Sequence, residues 1–314
     1  MKEHQRKNLA ILSSLLGYAI FGFSFLFSKQ ALQMATPFVL LAVRFTAAFL
    51  LLNVLLLTGK CKLHLKGKKI GSLMLLGVIQ PVIYFVCENY GVKLSATSFV
   101  GTMLALIPIA SIITARIFLK EKIRASQALF SLFSMVGVYL TTLQQESGSF
   151  TWTGFLLLLA AVCMGAMFNA LSRKISVRFS AFERTYVMFA LGSAAFTSIA
   201  LLQSMGNFSE MVILPLSNGS FWISIFFLAG LSSVGAFLML NYAVTHLDIA
   251  RASIFGNITT VITILAGVLI LHESFGVYQI IGSVIIIVAA YGVNARRNDS
   301  TQDTIHGGSA IAEQ

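Results

Sequence analysis

The sequence is short of charge and of cysteine, and each shortage closes off a class of protein. Only 11% of its 314 residues are charged, with 11 Asp and Glu against 22 Lys and Arg. The apolar residues come in long runs instead of the three-and-four spacing by which a soluble helix confines them to one stripe. A water-soluble globular domain is thereby excluded. Cys61, Cys87 and Cys163 neither pair obviously nor show metal-ligand spacing, so three free thiols and no metal site are expected. No Gly-x-x-x-x-Gly-Lys-Ser/Thr run occurs, which excludes direct drive by a P-loop ATPase. His246 and His272 fall near the ends of apolar runs without a second ligand nearby, and no cluster of His, Asp or Glu lies within a run. Cofactors are not called for.

What is present is hydrocarbon-soluble sequence. Hydrophobic residues make up 57% of the chain, and a run of about 20 of them crosses the apolar core of a bilayer. Such runs lie at 9–28, 37–57, 70–91, 97–119, 125–143, 152–172, 182–203, 221–243, 250–271 and 276–294, which predicts ten transmembrane helices. The first run is too long for a signal peptide and no small-residue cleavage site follows it, so it is expected to remain as the first helix. The formal charge of +11 is no sign of nucleic-acid binding, because the basic residues alternate between successive connections instead of gathering on one domain. Lys2, Arg6 and Lys7, then Lys60 to Lys69, Lys120 to Arg124, Arg173 to Arg184, Arg251, and Arg296 and Arg297 occupy the N-terminus and every second connection. The connections between these hold Lys29 and Lys93. The positive-inside rule then places both termini in the cytoplasm, in a multi-pass protein of the cell (inner) membrane. Trp152 and Trp222 fall at outer entrances of spans, the depth an indole prefers. After Arg297 the polar segment 298–314 is expected to be a disordered cytoplasmic tail.

The chain contains one half twice. Residues 89–140 lie over 241–292 without a gap, at a numbering difference of 152 (241 − 89), and Asn89-Tyr90, Glu121, Gln127 and Tyr139 meet Asn241-Tyr242, Glu273, Gln279 and Tyr291. In so apolar a composition the polar matches carry the weight. Five spans per half is an odd number, so the second half enters the bilayer in reverse. The expected fold is an all-α membrane protein of ten helices in a 5+5 inverted repeat: 1–147 the first unit, 148–297 the second.

Several motifs carry a family resemblance. They are Phe-Gly-Phe-Ser-Phe-Leu-Phe-Ser-Lys (21–29), Arg44-Phe45, Asn-Tyr-Gly-Val (89–92), Pro108 and Phe-Leu-Lys-Glu-Lys (118–122), echoed by Asn-Tyr-Ala-Val (241–244), Leu-His-Glu (271–273) and Gln279. In this order the chain resembles the EamA family of the drug/metabolite transporter superfamily over about residues 9–294. The pattern departs at Thr260, where the proline of the fourth span would recur, and at Ala289, opposite Gly137. The resemblance implies a bundle with a central cavity that opens alternately to each side and moves small organic solutes, amino acids or other metabolites among them.

Candidate residues follow from the cost of polarity in lipid. Glu88 and Arg44 are the charges clearly within spans, at matching depth, and Lys29 ends the first span on the same side. Glu88 is the leading candidate to bind a substrate ammonium or carry a proton, with Arg44 and Lys29 beside it; the competing reading is a structural ion pair with snorkelling cations. Tyr84 stands one helical turn from Glu88, and Tyr18 is another hydroxyl in need of a partner. Asn169, Asn257 and Thr260 are candidate cavity residues, although span Ser and Thr often bond their own backbone. Asn89 and Asn241, at equivalent places on opposite sides, are candidate gates, weighed against a bridging role between helices. Pro108 is the preferred hinge and Pro81 a second break, since each frees a mid-helix carbonyl. Glu121 and Glu273, near helix starts, are read as structural.

These features point to a secondary transporter of small organic metabolites, its expected partners being the solute, the lipid bilayer and protons, with no nucleic acid and no enzymatic activity. Export is the expected direction. A membrane channel is the alternative, followed by an intramembrane enzyme. Phosphate-linked solutes are disfavoured, because no cluster of Lys and Arg lies deep in the spans to hold a phosphate.

Overall fold

The computed structural model describes residues 3–59, 61–65, 67–119, 125–143, 151–246 and 249–295. Glu121, the tail after 297 and the side chain of Asn257 lie outside this description. The described residues form helices and no strand, in keeping with a solvent that offers a bare backbone no hydrogen bonds. Helical segments cover each of the predicted apolar runs. We label them α1 (Glu3–Leu32), α2 (Pro37–Leu57), α3 (Gly71–Leu94), α4 (97–119), α5 (Ala125–Leu143), α6 (Trp152–Ile175), α7 (Ala181–Gln203), α8 (219–246), α9 (Ile249–Leu269) and α10 (Val277–Ala295). Six of them, α1, α2, α3, α6, α7 and α8, are long and apolar enough to cross a membrane, and the others contain shorter apolar stretches.

Local sequence sets several of the starts. Thr36 accepts a hydrogen bond from the Val39 N–H, and Pro37, which has no N–H to lose, takes the first turn of α2. Thr151 caps α6 in the same way through the Gly154 N–H, and Ser180 with Glu183 forms a reciprocal capping box at the start of α7.

Three helices are irregular in their interiors. α3 loses helical geometry at Gln80 (φ −143°, ψ 116°), directly before Pro81. α8 widens over Phe226–Ala236, where Gly230 and Gly235 offer little side-chain packing to keep the turn tight. α4 breaks at Ala105 and Leu106, within reach of Pro108, which supplies no N–H to the turn before it. The expected hinge at Pro108 thus coincides with a break, and the larger departure is at Gln80. α9, with Thr260 in the corresponding place, runs through unbroken.

Contacts at the helix ends define two faces. His64 and Lys68 reach Glu183, and Arg184 reaches Thr245, so the 58–70 connection, the start of α7 and the end of α8 share one face. Lys29 reaches Ser95, Thr151 reaches Leu94 and Glu273 reaches Thr97, so the end of α1, the α3–α4 turn, the start of α6 and the end of α9 share the other. The face from which α1 starts is called the N-face below.

The helices pack in a pattern that survives exchange of each αn with αn+5. α5 packs on α10, α2 on α7 and α4 on α9; α1 packs on α9 as α4 does on α6; α1 packs on α8 as α3 does on α6; and α2 packs on α8 as α3 does on α7. The α5–α10 approach is the tightest: a Cβ built on Gly282 would stand 2.5 Å from the Gly137 carbonyl oxygen, so only glycine fits there. The α2–α7 seam is filled by Phe45 against Phe189 and Phe196, and by Thr46 hydrogen-bonded to Ser193 and Thr197.

Candidate functional site

A cavity of about 120 Å³ lies among six helices, from their middles toward the N-face. α1 lines it with Tyr18, Phe21 and Phe25, α3 with Gln80 and Tyr84, and α4 with Leu104, Ile107 and Pro108. α6 adds Gly165, Phe168 and Asn169, α8 adds Phe237, Leu240 and Asn241, and α9 adds Gly256, Thr259 and Thr260. Among these lining residues no side chain is charged. The wall is mostly aromatic and aliphatic, broken by three amides, two threonines and two phenolic hydroxyls. Such a surface offers ring or alkyl contact over most of its extent and a few directed hydrogen bonds.

The helix irregularities serve this cavity. Gln80 lines it from the non-helical turn of α3, and Pro108 stands at the wall beside the break in α4. Asn169 is held at the wall by a 3.4 Å hydrogen bond to Ser111. Thr259 donates to the Tyr18 carbonyl, while Thr263 donates to its own backbone at Thr259 and to Gly22, as expected of threonine in a span. Of the predicted site residues, the structure therefore brings Tyr18, Tyr84, Asn169, Thr260, Asn241 and Pro108 to one wall.

It does not bring Glu88, Arg44, Asn89 and Lys29 there. Arg44 is 2% exposed and donates from Nε to Ser233 (2.9 Å) and from Nη2 to Ser232 (3.2 Å), with its guanidinium 4.7 Å from the centre of the Phe85 ring. Glu88 is buried within electrostatic range of Arg44, but the two form no contact ion pair; the contact pair among the described residues is Lys68–Glu183, at 2.9 Å. Oε2 of Glu88 is buried without a hydrogen-bond partner. Asn89 donates to the Phe85 carbonyl one turn back, and its Oδ1 is likewise unpartnered.

The expected Lys29–Arg44–Glu88 cluster does not form, because Lys29 turns to a helix end. Its ammonium donates to the carbonyls of Val92 (2.9 Å) and Ser95 (2.6 Å), where the last turn of α3 has no N–H left to offer. Glu273 takes the other side of the same turn, accepting from the N–H groups of Thr97 (2.7 Å) and Ser98 (2.8 Å) at the start of α4. The cation and the carboxylate together clasp the α3–α4 turn at the face away from the N-terminus. Glu273 is thus structural, as expected, but it caps the start of α4 and not of α10, the helix that follows it in sequence.

At the N-face the corresponding work falls to Arg184, which sequence reasoning counted only as a topological charge. It is fully buried, and its guanidinium donates to the Ser172 carbonyl (2.9 Å) and hydroxyl (2.7 Å), the Asn241 carbonyl (3.1 Å) and the Thr245 hydroxyl (3.0 Å). Asn241 is satisfied on both sides of its amide, by Ser172 and by Thr185. The available signal was position: Arg184 directly follows the Ser180–Glu183 capping box and so stands inside a helix, not in a loop.

Among the described residues no group of three or more His, Cys, Asp or Glu could hold a metal ion. Cys61, Cys87 and Cys163 are free thiols.

Comparison with known proteins agrees with this architecture. The model of the EamA-like transporter family matches twice, over residues 8–143 and 151–295. A protein of Bacillus subtilis (strain 168) named as the uncharacterized transporter YcxC is 33% identical over 309 residues, covering 96% of this chain and 97% of that one. An uncharacterized transporter of Archaeoglobus fulgidus is 22% identical over 284 residues, covering 90% of this chain and 97% of that one. A crystal structure at 17% identity shares the fold with a TM-score of 0.65, over 90% of this chain and 97% of the other.

Proposed function

The chain belongs to the EamA-like transporter family, and from that premise we propose that it is a secondary transporter of small organic metabolites, built as two inverted five-helix repeats around one cavity. The observation that carries the reading is which helices make the wall. α1, α3 and α4 line the cavity together with α6, α8 and α9, their counterparts five helices later. α2, α5, α7 and α10, also two counterpart pairs, supply none of its lining residues. At residue level Leu104, Ile107 and Pro108 face the cavity as do Gly256, Thr259 and Thr260, each 152 later (256 − 104).

An inverted pair can exchange its two conformations, so a cavity lying toward one face implies a second state in which it lies toward the other. The N-face, which bears Arg173, Lys174, Arg178 and Lys68, is the cytoplasmic one by the positive-inside rule, with both termini on that side. The conformation described here is then the cytoplasm-facing state, closed outside by the clasp of Lys29 and Glu273 on the α3–α4 turn. Asn241 and Asn89 stand at the two gates, and Gln80–Pro81 and Pro108 are the points where α3 and α4 bend.

The uncharged, aromatic-rich wall with its amides suits amino acids or related amphipathic metabolites, and export is the direction we assign. The decisive test is counterflow in proteoliposomes: a panel of radiolabelled amino acids and related metabolites, each against an internal excess of the same compound, with and without a pH gradient. A carrier gives saturable uptake that transiently overshoots equilibrium. Flux that neither saturates nor responds to internal solute identifies a channel and ends the proposal.

A further inference from the structure

We infer that Glu88 and Asn89 are the portion of the solute site presented to the face opposite the N-terminus, and that Glu88 there receives a cationic group of the solute, an ammonium or guanidinium. This rests on the alternating-access reading above. Glu88 and Asn89 stand 152 residues before Leu240 and Asn241 (240 − 88), the same difference that relates the wall residues of α4 to those of α9. Leu240 and Asn241 line the cavity, whereas Glu88 and Asn89, 4% and 1% exposed, do not. Exchange of the repeats' conformations withdraws the first pair from the cavity and brings the second into it.

The polar atoms fit that exchange. Asn241, in the repeat whose gate residues now meet the cavity, has partners on both sides of its amide. Oε2 of Glu88 and Oδ1 of Asn89 have none, and a buried acceptor without a donor is unfavourable until some other group supplies one. Arg44 does not fill the role in this state, because its guanidinium is engaged by Ser232 and Ser233 and lies against Phe85. A carboxylate only accepts hydrogen bonds, and an ammonium brings three donors with the opposite charge. When the cavity turns to the N-face, Leu240 stands in the equivalent place and offers a cation nothing. The solute's cationic group thus meets a carboxylate in one state only, and the gradients, not this asymmetry, set the direction of net transport.

The test uses single cysteines in the full chain with Cys61, Cys87 and Cys163 changed to Ser, after counterflow has been measured for that background. Asn89→Cys and Leu240→Cys are treated with membrane-impermeant methanethiosulfonates carrying either a trimethylammonium or a sulfonate group, in intact cells for one face and inverted vesicles for the other. The expected result is labelling of position 89 from the face opposite the N-terminus and of position 240 from the N-face. At position 89 the ratio of cationic to anionic reagent rates should fall at least fivefold when Glu88→Gln is added, while labelling of position 240 in the Glu88→Gln background stays unchanged. Phe85→Cys, counterpart of the wall residue Phe237 (237 − 152), is the second reporter should Asn89→Cys fail to fold. Failure of both reporters to react from the opposite face while counterflow persists overturns the inference. So does a ratio that ignores Glu88→Gln, and a ratio favouring the anionic reagent assigns the site to Arg44 instead. Absence of counterflow in the parent protein is a separate result that sinks the transport reading itself.

Discussion

Asn89 and Asn241 occupy the same position in two copies of one helix, yet their surroundings differ in nearly every bond. Asn241 is enclosed by Ser172, Thr185 and the guanidinium of Arg184, while Asn89 has a single bond to its own helix and lies next to a carboxylate oxygen that has none. The identity of the two residues is a property of the duplicated sequence. Their difference lies in what surrounds them: the amide of Asn241 is bonded on both sides, whereas Oδ1 of Asn89 and Oε2 of Glu88 are buried without a partner.

Arg184→Ala should break this comparison most severely. It strips donors from the Ser172 and Asn241 carbonyls and the Thr245 hydroxyl, and bonds to a buried charge are worth about 1.5–3 kcal/mol each, so a loss on the order of 3 kcal/mol or more is expected. Thermal unfolding in detergent, compared with Arg184→Lys, measures it; an unchanged midpoint would show that the network carries no stability. Asn241→Ala should cost about 1–2 kcal/mol, the scale of hydrogen bonds between membrane helices, and Asn89→Ala no more than about 0.5 kcal/mol. Equal losses in a paired denaturation series would erase the difference argued above. Lys29→Met unfastens one half of the clasp on α3 and should cost about 1 kcal/mol, with faster thiol labelling at position 89 from the face opposite the N-terminus as its sharper readout. Trp222→Phe, which loses only the indole bond to the Leu216 carbonyl, should have the smallest effect, within about 0.5 kcal/mol in the same unfolding assay.

The helices were legible in the sequence because lipid imposes one rule on every segment. The predicted run 37–57 has the bounds of α2, the runs 97–119 and 125–143 are helical over their described residues apart from the break at 105 and 106, and the other helix ends differ by up to six residues, most at the start of α1 and with polar turns extending the helix at 172–175 and 243–246. Cavity residues on a helix interior, Tyr18, Tyr84, Asn169 and Thr260, were also legible, since a polar group in an apolar run needs a partner or water. Gln80 was not singled out, although a glutamine directly before a mid-span proline is the same signal. What could not be read was rotation about the helix axis. Depth matched Arg44 with Glu88 and put Lys29 at a span end on the same side, but depth does not decide azimuth, and Lys29 meets the carbonyls of Val92 and Ser95 at the end of α3 before any carboxylate. Arg184 was hidden for the converse reason: near a span end a cation is presumed to face water, whereas here it is the centre of a buried hydrogen-bond network.

The contact of α5 with α10 has one further consequence. At Gly137 and Gly282 the two main chains approach with no side chain between them, and Thr141, Ile285 and Ile286 close in around the crossing. A side chain added at either glycine therefore finds room only by prising the two helices apart.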